Sequence, residues 1–156
     1  MKRAIFFSTT FAAFAFVSVA LAAPGHTGGH AHSNVGKAGD PKKVSRTIEV
    51  VMNDQMRFLP DSVTVKPGET IRFVVKNVGE MKHEMMLGTH KELMDHAKVM
   101  QQHPGMEHDD DNAVTVEPGK TGEIVWQFTK AGTFKFGCLM PGHVEAGMIG
   151  TVSVKR

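Results

Sequence analysis

Near its C-terminus the chain reads Gly137-Cys138-Leu139-Met140-Pro141-Gly142-His143-Val144-Glu145-Ala146-Gly147-Met148. This stretch holds the only cysteine of the 156 residues, with a histidine and then a methionine at five-residue intervals. A thiolate, an imidazole and a thioether in one loop suit copper, because soft sulfur donors favour Cu(I) and nitrogen donors accommodate Cu(II). The stretch therefore predicts most of a copper site.

One more histidine from elsewhere in the chain would complete a trigonal site of two imidazoles and one thiolate with a weak axial methionine. His83 is the candidate. It lies shortly after a strand-like run and the turn Asn77-Val78-Gly79, so a sheet could carry it toward the C-terminal loop.

Taken together, these motifs resemble the cupredoxins, the small blue-copper family that includes plastocyanin, azurin and auracyanin. The resemblance covers about residues 45 to 156 and includes Asn-x-Gly before the first histidine, Gly-Thr-Phe-x-Phe-x-Cys, Pro-Gly-His and Gly-Met-x-Gly-x-Val. The Cys-x4-His-x4-Met spacing is similar to the rusticyanin and auracyanin ligand loops. The resemblance implies one type 1 copper ion, with four ligands: His83, Cys138, His143 and Met148.

Two details near His83 leave the geometry of this site open. Met85 and Met86 lie close enough in sequence to compete with Met148 for the axial position. The family usually has Asn directly after the first histidine, where it ties the two ligand loops together, whereas this chain has Glu84. This departure from the family leaves the hydrogen bond and the exact geometry open, with a distorted, greener site as one alternative.

The fold predicted for the chain is all-β, a cupredoxin-like Greek-key β-sandwich with a short helical insertion. Short runs of β-forming residues alternate with Pro-Gly and Gly turns, which is typical of a sandwich. The predicted strands cover residues 47–52, 62–65, 70–76, 113–116, 122–128, 132–137 and 148–154. An insertion at about residues 88–112 contains a predicted helix over residues 91–102.

The N-terminal part is predicted to lie outside the folded domain of residues 45–156. Residues 1–22 have two basic residues, an apolar run and a small-residue end, the layout of a secretory signal peptide. An uncleaved anchor is the alternative, because the apolar run reaches the lower limit for a bilayer span. We expect cleavage, export to the periplasm and no stable membrane insertion afterwards. Residues 23–44 are predicted to form a flexible His- and Gly-rich tail.

Charge and cysteine content exclude several classes of function. Removing residues 1–22 takes away two of the 18 Lys and Arg and none of the 16 Asp and Glu, which leaves the signs balanced. Such a chain gives no indication of a nucleic-acid partner. The single cysteine excludes an internal disulfide and a binuclear copper centre. Gly137 and Leu139 flank Cys138, where copper enzymes of this kind have histidine, so we expect no enzymatic activity.

Additional weak copper sites are a second hypothesis. Histidines and methionines are frequent between Met81 and His108, and His90 with Met94 and His96 with Met100 have helical i, i+4 spacing. These pairs either bind Cu(I) or pack ordinarily, with methionine filling the core and histidine on the polar face. The tail segment around residues 25–32 is a His-rich tract that either captures metal or acts as a spacer.

Two functions remain open from the sequence. The first is an exported type 1 copper protein that buffers copper and supports copper tolerance. The second is an electron-transfer carrier between respiratory or photosynthetic partners. In both, copper ions are the ligand. The apolar residues around His143 are the predicted docking surface for a redox protein, since the family exchanges electrons there.

Overall fold

The computed structural model describes residues 34–103 and 110–156, which form ten strands, one α-helix and a short 3-10 helix at Pro41–Lys43. The strands are β1 (Lys37–Ala38), β2 (Arg46–Asn53), β3 (Arg57–Leu59), β4 (Ser62–Val65), β5 (Thr70–Asn77), β6 (His83–Gly88), β7 (Ala113–Val116), β8 (Thr121–Gln127), β9 (Gly132–Gly137) and β10 (Ile149–Val154). The helix α1 spans His90–Gln102. The predicted signal peptide lies outside the described residues.

The strands form two five-stranded sheets that pack as a cupredoxin-like Greek-key sandwich, which confirms the predicted fold class. Sheet 1 has the order β1-β8-β5-β2-β3, and sheet 2 has the order β4-β10-β9-β6-β7. Two pairs are parallel, β2 with β5 and β4 with β10, and the others are antiparallel. All the predicted strands exist, with ends that differ by one residue or not at all.

The space between the sheets is filled by alternating apolar side chains. On β5, Ile71, Phe73 and Val75 are fully buried and face the core, as the period of two in a strand requires. Phe58 and Phe136 meet edge to face with ring centroids 5.0 Å apart. Cys138 and Met148 belong to this same cluster, so the site predicted from sequence lies at the end of the hydrophobic core.

The helix α1 covers one end of sheet 2. A capping box starts it, since the Thr89 side chain accepts from the N–H of Glu92 while the Glu92 carboxylate accepts from the N–H of Thr89. Leu93, Ala97 and Met100 form its buried face and pack in a second apolar cluster with Leu139 and Met86. Within residues 34–103 and 110–156, no helix has the length and apolar character needed to cross a membrane.

Three elements differ from the sequence prediction. β3 and β6 were not predicted, and β6 begins at His83. The predicted flexible tail is corrected over residues 34–44, because Lys37–Ala38 pairs with β8. Val35 is fully buried in the core, and the backbone and side chain of Asn34 both donate to the Glu92 carboxylate. Burial of one valine, a short strand pairing and these hydrogen bonds together order a segment whose composition is otherwise that of a linker.

Candidate metal centre

Two neighbouring strands of sheet 2 bring the predicted ligands to one end of the sandwich. His83 begins β6, and Cys138 directly follows β9. The two strands are antiparallel with Met86 opposite Gly137, so residues before Met86 lie beside residues after Gly137. His143 lies in the loop from β9 to β10, and Met148 ends that loop. Three donors, those of His83, Cys138 and His143, all lie within 4.8 Å of one another.

The three donor atoms form a small triangle. The Nδ1 atoms of His83 and His143 are 3.2 Å apart. The Cys138 Sγ is 3.2 Å from the Nδ1 of His143 and 3.9 Å from the Nδ1 of His83. His83 and Cys138 are completely buried, whereas His143 is half-buried. The site is therefore closed to solvent on the side of His83 and Cys138 and closer to solvent on the side of His143.

The donor set fits copper. A point equidistant from these three atoms would lie about 2 Å from each, close to the 2.0–2.3 Å at which imidazole and thiolate bind a metal such as zinc. Two imidazole nitrogens with one thiolate form the trigonal set that type 1 copper requires. Since both histidines present Nδ1, the outer nitrogen of each ring remains available for other contacts.

The ligand loop is closed by its own backbone. The N–H of Cys138 donates to the carbonyl of Met148 at 3.1 Å, and the N–H of Met148 donates to the carbonyl of His143 at 3.0 Å. The His143 N–H donates in turn to the carbonyl of Met140. These bonds hold the ends of the loop together and bury the Met148 side chain beside Cys138 in the core. The axial role of Met148 stays a prediction, and Met85 belongs to the same buried cluster.

Asp54 contacts the site from the other sheet, and nothing in the sequence pattern singled it out. It directly follows β2, and its Oδ1 lies 3.0 Å from the Nε2 of His83. The carboxylate also accepts from the N–H groups of Glu80, at 2.7 Å, and Met81, at 3.3 Å. These contacts, led by the Glu80 N–H, lower the pKa of Asp54. Its carboxylate is therefore ionised near neutral pH.

Glu84 links the two ligand segments, which answers the question raised by the missing asparagine. Its backbone N–H donates to the Cys138 Sγ at 3.3 Å. Its carboxylate Oε2 accepts from the N–H of Leu139, also at 3.3 Å. The side chain is buried, and this burial, together with the charge of Asp110, raises the pKa of Glu84 to about 7. A carboxylate thus makes the connection between the two segments that the family usually makes with an amide.

Burial also sets the protonation of the ligands before metal enters. It raises the pKa of the Cys138 thiol to about 11, although the N–H groups of Glu84 and Met140 oppose this rise. Burial, and secondarily the charge of His83, lowers the pKa of His143. At neutral pH the site therefore presents a neutral imidazole and a protonated thiol, so metal binding must displace the thiol proton.

The accessory histidines and methionines do not form a comparable cluster in the described part of the chain. Among residues 34–103 and 110–156, the site above is the one group of three or more His, Cys, Asp or Glu side chains placed to share a metal. Met100 is buried in the apolar cluster beneath α1. This is the packing role that was the alternative to Cu(I) binding for the pair His96 and Met100. His90 is exposed and Met94 is half-buried. The His-rich tract of the tail and residues 104–109 lie outside the described residues, so additional copper binding stays a prediction.

The sandwich and its pair of imidazoles with one buried thiolate define the class of type 1 copper proteins. Residues 44–155 match the family described as copper binding proteins, plastocyanin/azurin family. This match spans most of the chain, and the chain belongs to that family. Copper is accordingly the metal of the site, in agreement with the cofactor predicted from sequence.

The relatives of the chain are named for copper. It is 53% identical over 133 residues to the copper-resistant cuproprotein CopI of Rubrivivax gelatinosus, covering 83% of this chain and 81% of that protein. It is 40% identical to the copper-resistant cuproprotein CopI of Pseudomonas aeruginosa, covering 90% of each. Its fold is similar to reduced auracyanin from Roseiflexus castenholzii, with a TM-score of 0.62 and 23% identity over 72% of this chain and 99% of that one.

Proposed function

We propose that this protein is an exported type 1 copper protein that supports tolerance to excess copper. The observation that carries the proposal is the convergence of His83, Cys138 and His143, whose donor atoms lie 3.2 to 3.9 Å apart. The names of the relatives support the tolerance role, since two of them are copper-resistant cuproproteins over more than four-fifths of their length. Bound copper would supply a centre that cycles between Cu(I) and Cu(II).

The residues around the ligands would control how copper is taken up. Loading the site removes the proton from the buried Cys138 thiol, and the N–H of Glu84 then stabilises the thiolate by a charge-assisted hydrogen bond. His143 offers its lone pair without losing a proton, because burial keeps its pKa low. His83 begins β6 and Cys138 directly follows β9, so sheet 2 would hold both buried ligands in position before copper binds.

The proposal places the protein in the periplasm. Residues 1–22 have the basic start, apolar run and small-residue end of a signal peptide. A single free cysteine also suits an oxidising compartment when it is occupied by metal. Fractionation of the host should recover the chain in the periplasm without residues 1–22.

The proposal includes a redox protein as a second partner and no enzymatic activity. His143 is half-buried while Pro141 and Gly142 beside it are exposed, so this loop is where a partner would come nearest to the metal. Gly137 and Leu139 flank Cys138, and neither could bind a second copper centre. Electron exchange at this loop would serve copper handling by adjusting the oxidation state of the bound ion.

Growth on copper tests this function. A host lacking the gene should lose copper tolerance, and the unsubstituted gene should restore it. Cys138→Ser should not restore tolerance, because it removes the thiolate. Glu49→Gln is the matched control, since Glu49 is exposed and pairs with Lys76. Full tolerance with Cys138→Ser would contradict the proposal. A growth defect on respiratory substrates without added copper would instead favour the electron carrier.

A further inference from the structure

The outer nitrogen of His83 has a carboxylate partner. His83 Nε2 lies 3.0 Å from Asp54 Oδ1, while Nδ1 of the same ring faces His143 and Cys138. A neutral imidazole carries its proton on one nitrogen, and an ionised carboxylate only accepts hydrogen bonds. Asp54 therefore favours the tautomer with the proton on Nε2, which leaves the Nδ1 lone pair directed at the metal position.

Asp54 is itself held firmly by the chain segment that leads into β6. Its Oδ2 accepts from the N–H of Glu80 at 2.7 Å, and its Oδ1 accepts from the N–H of Met81 at 3.3 Å. With His83, three donors from one short segment converge on a single side chain. Asp54 belongs to the turn that leaves β2 of sheet 1, so it connects the two sheets directly behind the site.

Gly79 makes room for this carboxylate. A Cβ on Gly79 would lie 2.0 Å from the Oδ1 of Asp54 and 2.6 Å from its Cγ. Real Cβ atoms essentially never come this close to another atom, so any side chain at position 79 would displace the carboxylate. Gly79 thus provides a way to move Asp54 without removing its charge.

We propose that Asp54 is a positioning residue that orients His83 toward copper and favours Cu(II) over Cu(I). This rests on the proposed function, because it requires copper to bind at His83. A carboxylate hydrogen-bonded to a ligand histidine raises the basicity of that ligand, and such partners typically account for about 10- to 100-fold in metal affinity. The negative charge, one imidazole ring away, attracts the doubly charged ion more strongly than the singly charged one.

Asp54→Asn tests the proposal. The N–H of Glu80 and the Nε2 of His83 contact different oxygens of Asp54, and Asn has only one oxygen, so Asn cannot accept from both in this geometry. We expect Cu(II) affinity to fall about 10- to 100-fold and Cu(I) affinity to fall less. Each tenfold by which the loss of Cu(II) affinity exceeds the loss of Cu(I) affinity raises the reduction potential by about 59 mV for a one-electron couple. Glu49→Gln removes the same charge from an exposed site on β2 and should leave the potential unchanged.

Two further measurements keep the proposal testable if Asp54→Asn does not fold. Gly79→Ala keeps every ligand and every charge, and it should raise the potential in the same direction. In the unsubstituted apoprotein, nitrogen NMR should show the His83 proton on Nε2. A proton on Nδ1, or equal potentials in Asp54→Asn and Glu49→Gln, would overturn the role of Asp54. Failure of the unsubstituted protein to bind copper at His83 would refute the type 1 site itself.

Discussion

His83 and His143 present the same ring nitrogen to the metal position, but the chain holds them differently. His83 begins a strand that is paired on both sides, it is completely buried, and Asp54 fixes its outer nitrogen. His143 lies in a loop closed by backbone hydrogen bonds and is half-buried. The His83 half of the site is therefore part of the sandwich framework. The His143 half lies in a loop that solvent can approach.

This difference between the two histidines suggests how a protein with a rigid framework can still bind and release copper. His83 pairs with Val116 of β7, so it can move only if this part of sheet 2 opens, and opening a paired and buried strand costs much free energy. A ligand in a short loop can move locally at lower cost, because loops open more readily than paired strands. The metal position is therefore easier to reach from the His143 side, while the strand side preserves the geometry.

Cys138→Ser should have the largest effect, because Cys138 joins the two halves of the site. The intense visible absorption of copper-loaded protein arises from the bond between copper and thiolate sulfur, so the serine variant should lose it completely. The fold should persist, since the core depends on the burial of apolar side chains in both sheets. Absorption spectra with added Cu(II) test the first point and circular dichroism tests the second. A persisting band would exclude Cys138 as ligand.

Replacing each histidine by alanine would sharpen the comparison. Both variants should lose most of their copper affinity, because each lacks one imidazole. External imidazole should restore the copper spectrum of His143→Ala, since its cavity lies at the surface. His83→Ala should respond much less, because its cavity is sealed inside the sandwich and faces the Asp54 carboxylate. Titration with imidazole at fixed copper measures this, and equal rescue of both variants would contradict the distinction.

Glu84→Gln should have the smallest effect of these substitutions on the site. Glu84 links the segment of His83 to the segment of Cys138. The pKa of Glu84 is raised to about 7 from 4.5, so the folded apoprotein binds this proton more tightly than the unfolded chain. The apoprotein should thus lose about 3 kcal/mol of unfolding free energy from this group as the pH rises from 4.5 to 7.

Glutamine cannot ionise but can still accept from the N–H of Leu139, so Glu84→Gln should lack this pH dependence. Urea unfolding of both apoproteins at several pH values gives the difference. Other carboxylates contribute equally to the pH dependence of both apoproteins, so the difference between the two isolates the contribution of Glu84. The same pH dependence in the variant would show that Glu84 is not responsible.

The ligand loop could be predicted from sequence because its donors are close together in the chain. Cys138, His143 and Met148 are evenly spaced in one segment, and His83 was the candidate for the second imidazole from its position after a strand-like run and a turn. The strands were predictable because buried and exposed residues alternate along them, as on β5 and β8. Both features involve residues that are close together in the chain, so the sequence alone is enough to predict them.

The contacts that support the site could not be predicted in this way. Asp54 lies 29 residues before its partner His83 and on the other sheet, and an acidic residue in a hairpin turn is ordinary. For Glu84, the sequence showed that asparagine was replaced but not that a carboxylate would reach the N–H of Leu139. Val35 was missed because one apolar residue in a polar segment gives no periodic signal. Such contacts depend on the three-dimensional packing of the two sheets.

The short strand β1 has a consequence for how the protein behaves at high concentration. Without it, the seven-residue strand β8 would be the edge of sheet 1, with unpaired backbone groups able to bind a strand of another molecule. β1 covers only the end of β8, because Lys37 and Ala38 pair with Gln127 and Trp126 and the N–H of Gly39 donates to the carbonyl of Val125. This partial cover shortens the stretch of β8 with which another strand could pair, and so it lowers the tendency of the protein to aggregate at high concentration.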